Sequence, residues 1–386
     1  MLVAIILIAL AYSWGFLQLT LVSPERWHHP IWEITADVLG IPVGSRIAVA
    51  PDRSLIALMR AVTVASAFWL AFSICQSETR SRILVFGVAL IGMVYSLLGL
   101  LTLNSGYVLA VEAVSPDSVT STFLNRNSFA EFAGIGFLAG TAMTIRELRK
   151  VEQLPEIRTS GLVALRRAPF VLLSILASLV CAAALLLSQS RGGTIATLIG
   201  FLVLVLFSLR TGRKRTWLTG VGFLVVVVIV FGLADLVVKR ILDQGVIDAG
   251  RAAVRAATIY AVQDSALYGY GLDSFSAVFP MFRDDAVGVW GVWEKAHNIY
   301  LDTWISLGVV AGSFLLFGVA LLVVECAIGS LKRRRNASVP TCAMAVSILV
   351  GVHGLVDFGL DIQAIALTWA ALLGAGVAQS TSRRAI

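Results

Sequence analysis

The stretch APFVLLSILASLVCAAALLLSQSRGGTIATLIGFLVLVLFSL, residues 168–209, decides the fold class. It contains two apolar runs, 168–189 and 193–209, which are separated only by Ser190-Arg191-Gly192. A membrane-spanning helix needs about 20 mostly apolar residues, and runs of this kind recur along all 386 residues. With 58% hydrophobic and 14% charged residues, the chain has more apolar surface than a water-soluble core can bury. The composition therefore predicts an all-α protein embedded in a membrane.

Ten spans are predicted, which makes the fold a polytopic transmembrane helical bundle. They cover residues 2–22, 55–75, 83–103, 127–145, 168–189, 193–209, 216–238, 297–329, 339–357 and 361–379. The first run lacks a basic leading region and a small-residue cleavage site, so we expect a retained span rather than a removed signal peptide. Residues 1–386 are predicted to form a single integral-membrane domain.

The segments between the spans alternate in charge. Short basic segments, such as Arg210–Arg215 and Lys332–Arg335, alternate with longer segments that are acidic or mixed. Because basic segments remain preferentially in the cytoplasm, both termini are expected inside. This topology accounts for the formal charge of +7, so no nucleic-acid partner is predicted. The three large outer loops are then 23–54, 104–126 and 239–296, and the longest of them is the candidate for part of a site.

Neither the cysteines nor any short motif indicates a metal or a cofactor. The four cysteines lie in or at the end of apolar runs, at Cys75, Cys181, Cys326 and Cys342. Their positions predict packing roles. The sequence has no ligand cluster with convincing metal spacing, no phosphate loop and no ATP motif. We therefore predict neither a metal site nor a cofactor.

Arginines at outer helix ends are the first residues that suggest chemistry. A membrane-boundary arginine is costly unless it is paired, solvated or used. Arg191 lies between two spans beside Gly192-Gly193, and Arg251 and Arg255 share one face of a predicted amphipathic helix. Guanidinium groups bind phosphate bidentately, so all three arginines are candidates for an anion site. A snorkelling side chain at a tight turn is the competing interpretation of Arg191.

The end of the longest outer loop carries two further candidates. The run Tyr268-Gly-Tyr-Gly-Leu-Asp-Ser-Phe275 has glycines that allow backbone N–H groups to approach an anion, although turns use the same residues. His297 precedes the eighth span, and a neutral imidazole accepts a proton from a hydroxyl group near physiological pH. The competing interpretation is a structural histidine at an interface.

Two groups of polar residues allow other interpretations. His353, Asp357 and Asp361 lie around the outer end of the ninth span, where they resemble the proton relay of a transporter or support a re-entrant turn. The first outer loop carries a group of predicted interfacial anchors, namely Trp27, His28, His29 and Trp32.

Four motifs, taken in order, resemble the O-antigen ligase and polymerase family. They are Thr122–Ala130 (TFLNRNSFA), Ser190–Gly193 (SRGG), Gly250-Arg251 leading to Gly269–Phe275 (GYGLDSF), and Ala296-His297-Asn298 with Leu307-Gly308. Their order and spacing carry the resemblance, which extends over residues 20–380. Many members of the family have additional helices upstream of the first outer loop.

The resemblance implies a bacterial integral-membrane glycosyltransferase of the GT-C type. Such enzymes take a glycan from an undecaprenyl-diphosphate carrier at the periplasmic face of the inner membrane, without a divalent metal. Arg191 and Arg251 match the essential arginines of the family, and His297 matches its essential histidine. Arg255 is expected to assist the arginines. Three residues of the first motif are expected either to support the structure or to contact the donor's carrier: Asn125, Arg126 and Asn127.

The acceptor stays open. It is lipid A core for a ligase and another carrier-linked repeat for a polymerase, and the motifs serve both. A protein O-glycosyltransferase is an alternative within the class. A multi-span transporter or lipid-linked-glycan flippase is the competing class, with Asp357 among its candidate residues. We prefer glycan transfer because most charges lie at outer helix ends rather than in the middle of spans. Membrane lipids are the remaining expected partner.

Overall fold

The computed structural model describes residues 1–103, 107–108, 111–112, 118–152, 160–209, 249–288, 291–333 and 337–382. The chain divides into two compact units. The first unit comprises Met1–Ala65, Ile247–Leu322 and Gly354–Phe358, and the second comprises Ser66–Val246, Val323–His353 and Gly359–Ile386. Helices dominate both units, which confirms the predicted all-α class.

The described residues contain twelve α-helices. In chain order they are α1 (Leu2–Leu19), α2 (Ile31–Leu39), α3 (Pro51–Ile74), α4 (Glu78–Leu101), α5 (Arg126–Glu152), α6 (Ser160–Leu187), α7 (Arg191–Leu209), α8 (Ala249–Asp264), α9 (Phe275–Val278), α10 (Ile299–Lys332), α11 (Ser338–His353) and α12 (Gln363–Thr381). Short 3-10 turns lie at Glu25–Trp27, Phe279–Phe282 and Gly359–Asp361. The antiparallel strands β1 (Tyr107–Val108) and β2 (Val111–Glu112) lie in the predicted loop 104–126, where no strand was expected.

Eight of these helices are long and apolar enough to cross a membrane, within the residues that the structure describes. They are α1, α3, α4, α5, α6, α7, α10 and α12, and each corresponds to a predicted span. The predicted span 339–357 is shorter than expected, because α11 has 16 residues and ends at His353. Most residues of α11 are buried by the rest of the protein, so the length of this helix need not match the thickness of the bilayer. The predicted span 216–238 lies outside the described residues.

Helix α5 is the central helix of the second unit, with 94% of its span buried by protein. Small residues let neighbouring helices approach it closely. A Cβ on Gly136 of α5 would lie 3.0 Å from the Cα of Gly92 in α4 and 2.9 Å from the Sγ of Cys181 in α6. All four cysteines are buried and free of disulfides, which confirms their predicted packing role.

A kink in α10 organises the first unit. Gly308 leaves the helical conformation, with φ 77° and ψ 166°. Segment 266–271 satisfies the backbone groups that the kink releases. Its bonds run from Tyr270 N–H to Ile305 O (2.9 Å), from Gly271 N–H to Ser306 O (3.0 Å) and from Val309 N–H to Ala266 O (2.7 Å). The glycine run therefore packs on α10. The N–H groups of Tyr270 and Gly271 donate hydrogen bonds to carbonyl groups of the protein rather than to an anion.

Gly269→Ala is expected to destabilise the protein more than Gly288→Ala. Both glycines have left-handed backbones, with φ values of 68° and 70°, so alanine adds about 1–2 kcal/mol of backbone strain at either position. A Cβ on Gly269 would also overlap the backbone of α10, whereas a Cβ on Gly288 would meet no atom of the described residues within 4 Å beyond its chain neighbours. Overpacking of this kind costs about 1–3 kcal/mol more. Thermal unfolding in detergent measures the difference, and equal melting temperatures would contradict the packing.

Candidate active site

A side-chain cluster forms in the first unit where α8 and α10 begin. Arg251 lies in the first turn of α8, and His297 lies two residues before α10. The five-residue segment Gly354–Phe358 belongs to the same unit. It carries Asp357, whose carboxylate lies next to both side chains.

Asn298 brings this segment to the start of α10. Its Oδ1 accepts hydrogen bonds from the N–H groups of Tyr300 and Leu301, each at 3.0 Å, and so caps the helix. Its Nδ2 donates to the carbonyl of Leu355 at 3.1 Å. The N–H group of Ile299 donates to the carbonyl of Gly354 at 2.8 Å. Helix capping and the placement of Asp357 thus depend on one asparagine of the Ala-His-Asn motif.

Asp357 bridges the arginine and the histidine. Its Oδ2 lies 3.2 Å from Nη1 of Arg251, and its Oδ1 lies 3.5 Å from Nδ1 of His297. The N–H group of Phe358 also donates to Oδ1, at 2.9 Å. Asp357 is 1% exposed, while the side chain of Arg251 keeps 26% of its surface accessible. A buried carboxylate needs such partners, and the arginine remains within reach of an arriving anion.

His297 has an unusual backbone and a defined ring environment. Its φ of 49° lies in the left-handed region, which costs about 1–3 kcal/mol for a residue other than glycine. The ring packs edge-on against Trp293, with centroids 5.6 Å apart, and against Phe358 at 4.9 Å. Among the described residues, Nδ1 forms no hydrogen bond, because its distance to Asp357 exceeds the usual length by about 0.5 Å. A small ring movement would close that bond.

The carboxylate defines what the imidazole can do. When Nδ1–H points to Asp357, Nε2 has its lone pair available to accept a proton. Sequence reasoning did not assign Asp357 to this site and considered it for a proton relay or a turn. Asp357 lies 106 positions from Arg251 in the sequence, so no short motif connects the two residues. The available signal was a carboxylate at the outer end of a predicted span.

The structure places Arg191 in the second unit, as the first residue of α7. Ser190 builds this helix start, since its Oγ accepts the N–H group of Gly193 at 3.2 Å and its carbonyl accepts that of Thr194 at 3.0 Å. A Cβ on Gly193 would lie 2.6 Å from the Cβ of Ala130. The Ser-Arg-Gly-Gly motif therefore packs α7 closely on α5 and leaves Arg191 half-buried.

The Asn-Arg-Asn motif lies at the start of α5, also in the second unit. Asn125 caps the helix, because its Oδ1 accepts the N–H group of Asn127 at 2.8 Å. Arg126 is the first residue of the helix. All three side chains are half-buried. The cap gives Asn125 a structural role, and donor contact by the motif stays a prediction.

His353 pairs with Glu131 in the second unit. Its Nδ1 lies 2.6 Å from Oε2 of Glu131, and the two side chains are 1% and 2% exposed. A Cβ on Gly359 would overlap the same carboxylate, so glycine is required there. This pair ties the end of α11 to α5.

These features define a multi-pass helical membrane protein in which an arginine, a histidine and a buried carboxylate meet where two helices begin. Residues 176–316 match the model of a protein family described as O-antigen ligase. The matched region contains Arg191, Arg251 and His297, and the match confirms the resemblance to the O-antigen ligase and polymerase family. A search of curated protein sequences gives no significant match.

Proposed function

We propose that the protein transfers a glycan from an undecaprenyl-diphosphate carrier to an acceptor at the periplasmic face of the bacterial inner membrane. The family match supports a function of the O-antigen ligase or polymerase type. The observation that carries the finer proposal is the bridging of Arg251 and His297 by Asp357. In this cluster Arg251 supplies a positive charge for the leaving diphosphate, and His297 supplies a base for the acceptor hydroxyl.

The arginines neutralise the leaving group. Arg251 lies in the first turn of α8 and Arg191 is the first residue of α7, so the positive end of a helix dipole adds to each guanidinium. Bidentate hydrogen bonds suit the oxygens of a diphosphate. Arg255 lies one turn after Arg251 and assists it. Because these charges act where negative charge develops, we propose that the reaction needs no divalent metal.

His297 activates the acceptor. Nε2 takes the proton of an acceptor hydroxyl while the hydroxyl oxygen attacks the anomeric carbon of the donor sugar. The bond from that carbon to the carrier diphosphate breaks, and the diphosphate leaves with the electron pair. Attack in line with the leaving group inverts the anomeric configuration. Asp357 orients the imidazole and stabilises its protonated form.

Lipid A core and a second carrier-linked repeat are the two acceptors that the family implies. Transport is the less favoured class because Asp357 is engaged by Arg251 and His297, the two residues assigned to transfer. A protein acceptor requires the same chemistry at a serine or threonine hydroxyl.

The proposal is tested by incubating the reconstituted protein with a synthetic undecaprenyl-diphosphate glycan in EDTA and resolving the products on a gel. A longer carrier-linked glycan indicates a polymerase. Transfer only after lipid A core is supplied indicates a ligase, and transfer only to a protein indicates an O-glycosyltransferase. The absence of turnover with every acceptor would contradict the proposal.

A further inference from the structure

Within the part of the chain that the structure describes, helix α2 has an apolar face that is mostly exposed. Ile34 and Val38 are four residues apart and so share a face, and they are 57% and 80% exposed. Leu39, on the adjacent edge of this face, is 58% exposed. Glu33 and Asp37 form the polar side of the helix, since they lie about 140° and 100° around it from Val38, and both are exposed. An amphipathic helix with these two faces fits a boundary between an apolar phase and water.

Contacts within the first unit connect α2 to the end of a membrane-spanning helix. The guanidinium of Arg46 donates to the carbonyl of Leu19, the last residue of α1, at 3.4 Å. The same guanidinium lies 5.7 Å from the ring centroid of Trp32, in the first turn of α2. The N–H group of His29 donates to the carbonyl of Arg46 at 3.0 Å. These contacts place the start of α2 at the level where α1 leaves the bilayer.

The segment between α1 and α2 also exposes apolar side chains. Leu21 and Val22 follow α1 directly and are 59% and 83% exposed. Tryptophan and arginine are the residues that favour the membrane interface, and Trp32 with Arg46 supplies both beside this apolar surface.

We propose that α2 is an interfacial helix whose apolar face enters the lipid bilayer at the carboxyl end of α1. Such helices lie in the membrane plane and insert about 5–10 Å into the boundary between headgroups and acyl chains. Ile34, Val38 and Leu39 contact lipid, while Glu33 and Asp37 face water. Because the polar face is acidic, insertion depends on apolar burial rather than on attraction to anionic lipids.

A pair of single-cysteine labels tests the placement. Val38→Cys and Glu33→Cys put an environment-sensitive fluorophore at positions about 140° apart around the helix, and the chain's own four cysteines are buried. Unsubstituted protein treated with the same reagent measures background labelling. Each labelled protein is reconstituted in vesicles that contain lipids with a nitroxide near the start of the acyl chain. Iodide is the aqueous quencher.

Nitroxide lipid is expected to quench the fluorophore at position 38 several-fold more than that at position 33, and iodide is expected to show the reverse order. The same result is expected with neutral and anionic vesicles. Equal iodide quenching at both positions would overturn the proposal, since the helix would then lie in water. Protection of position 38 from both quenchers would also overturn it, because another part of the chain or a second copy would cover the face. Neither readout depends on glycan transfer.

Discussion

Replacing His297 with alanine is expected to lower the rate of glycan transfer about a hundredfold to ten-thousandfold. The substitution removes the proposed base for the acceptor hydroxyl, whereas the arginines proposed to bind the diphosphate remain. Donor binding should therefore change little. The rate is measured in single turnovers of the reconstituted protein at saturating donor, and donor affinity is measured separately.

The matched control for this variant is His28→Ala. His28 also lies in a predicted outer loop, where its Nδ1 shares a 2.7 Å hydrogen bond with Ser45 rather than facing Asp357. We expect its transfer rate to stay within a few-fold of the unsubstituted protein. A correctly folded His297→Ala protein with a normal rate would show that His297 is not the base.

Replacing Arg251 with alanine is expected to lower transfer about a hundredfold to a thousandfold and to destabilise the fold. The activity falls because the leaving diphosphate loses a charged donor. The stability falls because Asp357 remains as a buried carboxylate without its arginine, which costs up to about 3 kcal/mol. This is the low end of the range for buried pairs because Arg251 is partly exposed. Arg251→Lys restores charge without the bidentate fork, so only part of the activity should return.

A double variant separates the two effects of Arg251. Arg251→Ala combined with Asp357→Asn removes the buried negative charge that has lost its arginine, so its melting temperature should exceed that of Arg251→Ala alone. Transfer should remain low because the cation and the orienting carboxylate are both missing. If the double variant were as unstable as the sum of the single variants, the 3.2 Å contact between Arg251 and Asp357 would not be an energetic pair.

The spans were predictable because a membrane-crossing helix is a local property. Each needs about 20 mostly apolar residues in a row, and α1, α6 and α7 match the predicted ranges closely. Helix α11 was predicted too long, since its surroundings are not encoded in its own hydropathy. The sequence cannot reveal that neighbouring protein buries this helix and removes the length requirement of the bilayer.

The site was predictable only in part. Arg251 and His297 were predicted as members of the candidate site from their residue types, their places at helix starts and the family resemblance. Asp357 was not assigned to them, because a carboxylate 106 positions from Arg251 has no local signal of its partner. The role of the glycine run around Tyr270 was also not predictable from local sequence. This run bonds the backbone at the kink of α10, and that kink lies in another part of the chain.

The sequence by itself determined the helical membrane class, the resemblance to the O-antigen ligase and polymerase family and the residue types proposed for the site, because apolar run length and ordered motifs are properties of the chain. Only the tertiary structure decided that Asn298 holds Leu355, and the N–H group of Ile299 holds Gly354, at the start of α10. Only the tertiary structure decided that Asp357 then lies between Arg251 and His297. These contacts join residues far apart along the chain, and packing and the burial of charge select them after the helices have formed.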